Sequence, residues 1–142
     1  MTRSNGMSIY AGPPIRALLD GYDDNRSGRL NAVAERYAAI IAAHTPELSE
    51  AEWCAVCDAL NGCFMGAGEA LLGVRYAWAN IADCEGLGQK WCVDQDALAQ
   101  RLRSMPLADA VAVAEVVQRF WRHTDLPTRE ALDLAGARVS AA

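Results

Sequence analysis

Two cysteines stand three apart in Cys54-Ala-Val-Cys57, and Cys63, Cys84 and Cys92 follow. Spacing of this kind suits metal binding or dithiol exchange. Structural zinc needs four thiolate or imidazole ligands in a tetrahedron. Here there is no second CxxC, and no glycine or turn residue lies within the first. Cys57 also falls in register with Trp53 and Leu60 on the apolar face of a predicted helix. A free cysteine in such a stripe behaves as a small buried hydrophobe. Dithiol catalysis places its thiol at a helix N-terminus, where the helix field lowers the pKa. Cys54 sits five residues past the expected cap, Ser49. No metal and no cofactor are therefore expected.

Acid–base work calls for a histidine or a raised carboxylate in a pocket. His44 and His123 each fall at a predicted helix C-terminus, where a cation complements the macrodipole. Glu69, Asp83 and Glu85 form no pair by spacing. There is no phosphate loop and no Ser/His/Asp constellation. The reading is of a protein that is not an enzyme and works through its surface.

The net charge is -5. That balance disfavours phosphate binding, which draws on an excess of Lys and Arg. It favours a basic protein partner. Glu47, Glu50, Glu52 and Asp58 decorate one predicted helix, while Asp83, Glu85, Asp94 and Asp96 surround the next connection. If both sets face one way they form an acidic docking surface. Acidic residues in first turns also complement helix dipoles, which accounts for Glu50, Glu52 and Asp96 without any partner. The four tryptophans, Trp53, Trp78, Trp91 and Trp121, read as core anchors. Trp91, in an expected loop between Lys90 and Cys92, is the one placed to stand exposed as a contact. Arg26, Arg29 and Arg36 offer a basic face for DNA, but Asp20, Asp23 and Asp24 directly precede it and offset it.

The elements that carry these residues are helical. A chain of 142 residues with 52% apolar residues suggests one globular domain. Residues 1–24 read as a leader and docking arm, 25–136 as the helical domain and 137–142 as a frayed tail. The predicted helices run over about 26–43, 50–60, 69–84, 95–105, 106–123 and 128–136. Leu30, Val33, Ala34, Tyr37, Ile40 and Ile41 form one face of the first. Ser49 and Glu52 make a capping box for the second, with Leu48 and Trp53 as its hydrophobic staple. Asp94 caps the fourth. No strand is expected. The fold class is all-α, a single compact domain of five to six helices, bundle-like or an orthogonal array. No apolar run reaches eighteen residues and the start lacks a signal-peptide core, so a cytoplasmic protein is expected. Five cysteines in that compartment read as free thiols.

Three strings carry a resemblance: Asn25-Arg-Ser-Gly-Arg-Leu-Asn-Ala-Val-Ala-Glu-Arg-Tyr37, Glu50-Ala-Glu-Trp-Cys-Ala-Val-Cys-Asp-Ala-Leu-Asn-Gly62 and Leu87-Gly-Gln-Lys-Trp91. Over about residues 25–122 the chain resembles small helical proteins of phages and conjugative elements, among them anti-CRISPR inhibitors of type I surveillance complexes. The resemblance implies a non-enzymatic inhibitor that binds Cas subunits, at a surface made for DNA phosphates. The alternatives are a DNA-binding regulator using the arginines of the first helix and a small zinc-binding structural protein.

Overall fold

The computed structural model describes residues 12–61 and 78–141. They form eight helices and one two-stranded sheet, and the chain divides into two units, 1–38 and 39–142. The helical class stands, with more helices than the five or six expected and with a small sheet added.

In the first unit, α1 (Pro13–Leu19) opens on two prolines at its first positions, where a missing N–H costs nothing. Gly21 turns the chain at φ +79°. Asn25 Oδ1 accepts from Gly28 N at 3.2 Å and caps the start of α2 (Arg26–His44). The arginines here serve their own unit. Arg26 pairs with Asp23 at 3.3 Å. Arg29 lies 4.9 Å over the Tyr22 ring and donates to the Leu18 carbonyl at 3.5 Å. No residue of 12–38 is fully buried. The apolar stripe of α2 buries Ile41 alone, while Tyr37 is 40% and Ile40 50% exposed.

The second unit is built around α3 (Glu50–Ala59). Ser49 Oγ accepts from Glu52 N at 3.1 Å, and Glu52 Oε1 accepts from Ser49 N at 2.9 Å. The cap is worth about 1 kcal/mol. Trp53, Cys54, Ala55, Val56 and Cys57 are all buried. Such a run covers every side of a helix, and a helix apolar all round belongs inside.

Just before α3, β1 (Glu47–Leu48) pairs in parallel with β2 (Arg138–Val139), Glu47 opposite Arg138 and Leu48 opposite Val139. Ser140 N donates to Leu48 O at 2.9 Å, and Trp53 Nε1 donates to Arg138 O at 2.9 Å. The tail expected to fray from residue 137 is therefore fastened through 138–140, and the expectation of no strand is corrected. Two-residue strands are too short to show alternation in sequence.

Residues 78–83 are helical (α4), with Trp78 and Ile81 buried. The rest of the helix expected over 69–84, and the loop expected over 62–68, lie outside the described residues. α5 (Leu87–Trp91) replaces an expected loop, between left-handed Gly86 (φ 77°) and Cys92 (φ 55°). α6 (Gln95–Arg103) is capped by Asp94, which accepts from Ala97 N at 3.1 Å. α7 (Leu107–Phe120) follows Pro106 and buries Ala110, Val113, Val116 and Val117. α8 (Thr128–Ala135) packs on α7 and ends at left-handed Gly136. Pro127 holds its cap position. No helix among the described residues is long and apolar enough to cross a membrane.

Candidate functional site

The two predicted acidic sets meet different fates. On α3 the carboxylates are occupied. Glu50 lies 3.5 Å from Arg129. Glu52 closes the capping box and lies 3.9 Å from Arg101. Asp58 Oδ2 accepts from Lys90 Nζ at 2.8 Å and from Trp91 Nε1 at 2.9 Å. The Lys90 hydrogen bond, against the opposing effect of burial and with help from Trp91, holds the Asp58 carboxyl below its ordinary range. Glu47 on β1 is exposed, and its carbonyl accepts from Arg101 Nη2 at 2.8 Å.

Among the described residues, the second set meets no such neutralisation. Asp83 ends α4, Glu85 sits in the turn, Asp94 caps α6 and Asp96 lies in its first turn. All four are exposed. Glu85, Asp94 and Asp96 line one open depression with Gly86, Gly88 and Gln89. A neighbouring groove shares Val93 and Asp94 and reaches Glu52 and Arg101. Among the described residues, no ion pair engages Asp83, Glu85, Asp94 or Asp96.

This acidic corner is held by a residue that sequence reasoning missed. Gln95 Nε2 lies within donating distance of the carbonyls of Ile81 (2.7 Å), Cys84 (2.7 Å) and Ala82 (3.3 Å). Its Oε1 accepts from Gly88 N at 3.1 Å. One amide thus closes the C-terminus of α4 and ties down the first turn of α5. A Cβ on Gly88 would meet the Val93 carbonyl at 2.9 Å, so the close approach of the two segments requires glycine there. In sequence, a glutamine just after a cap reads only as a good helix former.

The cysteines line a separate cleft. Cys54 and Cys57 share it with Asp58, Lys90, Trp91 and Trp121, in a space of about 260 Å³. Burial pushes both thiols up, with Glu50 and Asp58 adding to the rise at Cys54, and Cys54 and Asp58 at Cys57. Both are protonated near neutrality, so neither is a ready nucleophile. Cys84 is half-buried and Cys92 exposed, and Cys63 lies outside the described residues. Among the described residues, no group of three or more His, Cys, Asp or Glu is placed to hold a metal ion.

Trp91 is not the exposed contact that its position suggested. It ends α5 half-buried against the core, with its indole N–H on Asp58. Trp121 donates to the Cys57 carbonyl at 3.0 Å and meets Phe120 edge-on, with ring centres 5.3 Å apart. His44 ends α2 as expected, and its Nδ1 lies 2.8 Å from Asp109 Oδ1 in the first turn of α7. His123 lies beyond the end of α7, on the wall of the cysteine cleft.

No protein-family model matches the chain, and neither does any curated protein or solved structure.

Proposed function

We propose that the protein acts by binding rather than by catalysis, docking a basic macromolecule on the acidic corner between α4 and α6. The supporting observation is that Glu85, Asp94 and Asp96 line one open depression with no cationic side chain paired to them among the described residues. Carboxylates gathered in this way steer a cationic partner and fix its register on contact. The Gln95 amide and the Asp94 cap hold the backbone beneath them, so little ordering entropy is lost on binding. Asp83 stands two residues before Glu85, and Glu52 lines the neighbouring groove that shares Asp94, whereas Glu47 lines neither, and Glu50, Asp58 and Trp91 serve the protein's own structure. The raised thiols of Cys54 and Cys57 agree with a role outside catalysis.

The resemblance to mobile-element proteins supplies the partner class. It is a Cas subunit of a type I surveillance complex in the cytoplasm, at a surface made for DNA phosphates. The chain would then work as a stoichiometric inhibitor standing in for nucleic acid.

The test is binding to an immobilised type I Cas surveillance complex by biolayer interferometry. The variant Asp83→Lys/Glu85→Lys/Asp96→Lys spares the Asp94 cap. A control, Glu35→Lys/Asp125→Lys/Glu130→Lys, carries the same net charge. The corner variant should bind about a hundredfold more weakly and the control less than about tenfold, both with unchanged helical circular dichroism. Equal losses in the two variants would remove the corner from the account. No binding by the wild-type chain would remove the Cas assignment.

A further inference from the structure

The cysteine cleft already holds a cation of the protein's own. Lys90 is the lone lysine in the chain. Its Nζ lies 2.8 Å from Asp58 Oδ2 and 5.3 Å from the centre of the Trp91 ring. A cation within about 6 Å of an indole face is attracted by the ring's quadrupole. The Lys90 side chain is nevertheless 60% exposed, so its tip reaches this seat from solvent. Phe120 and Trp121 add two more aromatic rings to the lining, and Cys54, Cys57 and Leu126 supply most of the remaining apolar wall.

We propose that this cleft binds a methylated ammonium group of the choline type, which displaces the Lys90 tip from between Asp58 and Trp91. The charge is specified by Asp58, the one carboxylate among the described residues of the lining. Methylation is favoured by the aromatic rings of the walls. A bare ammonium carries three N–H donors and loses hydration unless each finds an acceptor. The described lining sets Asp58 among three aromatic rings and the two thiols, with the Thr124 and Thr128 hydroxyls and the His123 ring as further polar groups. A quaternary ammonium has no donors to satisfy and packs its methyl groups on those faces, the usual aromatic-cage arrangement. The cleft's size, about 260 Å³, is just below the usual range of about 300–1,000 Å³ for small-molecule sites. That suits a headgroup better than an extended ligand. The site shares no residue with the acidic corner and does not rest on the docking proposal.

Lys90 is the internal competitor for this seat, which gives the proposal an unusual signature. Removing it should tighten binding, whereas a merely structural pairing with Asp58 would predict no gain. The test titrates the isotope-labelled full chain with choline chloride and follows the indole N–H signals of Trp91 and Trp121. Sodium chloride at equal ionic strength and the uncharged isostere 3,3-dimethylbutan-1-ol serve as controls.

The expected result is a saturable shift with choline, no shift with sodium chloride and binding about tenfold weaker or less for the isostere. Asp58→Asn should weaken choline by about tenfold, and Lys90→Met should tighten it by about threefold or more. A short peptide bearing trimethyllysine separates the sources. A tighter peptide points to a modified protein side chain and a tighter choline to a free small molecule, and both keep the ammonium assignment. Isostere binding equal to choline, or Lys90→Met binding no tighter than wild type, overturns it. Lys90→Met removes a side chain that is 60% exposed and leaves the Asp58–Trp91 hydrogen bond its partners, so the test survives if Asp58→Asn fails to fold.

Discussion

Trp53→Ala should lower stability by about 3–5 kcal/mol, the range for deleting a large buried aromatic side chain. Trp53 is fully buried in the core cluster, and its indole N–H fastens the Arg138 carbonyl at 2.9 Å. The same side chain therefore fills the space under α3 and anchors the chain's C-terminal strand. Domains of this size are stable by only about 5–15 kcal/mol, so a large share is at risk. Thermal unfolding followed by circular dichroism should show a fall of roughly 10–15 °C. Trp53→Phe keeps most of the volume and loses the hydrogen bond, and should cost about 1–2 kcal/mol. A Trp53→Ala loss under about 1 kcal/mol would show that α3 is not the centre of the fold.

Gln95→Ala should lower stability by about 2–3 kcal/mol, because it leaves partly buried carbonyls at the end of α4 without a donor. The four contacts of Gln95 include two at 2.7 Å, so the amide is well seated. Gln95→Glu is the sharper probe. It keeps the shape but has no N–H, and it turns a carboxylate toward the carbonyls of Ile81, Ala82 and Cys84. It should be at least as damaging as alanine by chemical denaturation. In both variants, faster hydrogen exchange at Gly88 N would report the loosened corner. Rescue by Gln95→Glu would contradict the donor role.

What was legible in the sequence was the chemistry that acts over three or four residues. The Ser49–Glu52 box and the Asp94 cap are local, and each is present as read; Leu48 and Trp53, the expected staple, are both buried in the core. The valines and alanines of α7 fixed its buried face in the same way. α5 escaped notice because Leu87-Gly-Gln-Lys-Trp91 is one short turn with glycines at 86 and 88. Its helix is sustained from outside, by packing on α3 and by the Gln95 amide. The periodicity of α2 correctly marked an apolar stripe, but periodicity does not say what covers one. Ile41 is buried and Ile40 is not.

The site divides along the same line. Negative charge at Glu50, Glu52 and Asp58 was visible in sequence. Its neutralisation by Arg129, Arg101 and Lys90 was not, because those partners come from distant elements. Trp91 was misread for a related reason: its hydrogen bond to Asp58 joins α5 to α3. The acidic corner was half legible. Asp83, Glu85, Asp94 and Asp96 were singled out by composition, whereas the glutamine that holds them in place gave no signal.

The most direct test of the acidic corner needs no knowledge of the natural partner. The isotope-labelled chain is titrated with an arginine-rich peptide at about 50 mM salt, where screening over the width of the corner is weak. The earliest and largest amide shifts should centre on residues 83–96 and fade as salt rises to about 500 mM. Shifts that centre elsewhere, or that scatter evenly over every acidic residue, would contradict a localised docking surface.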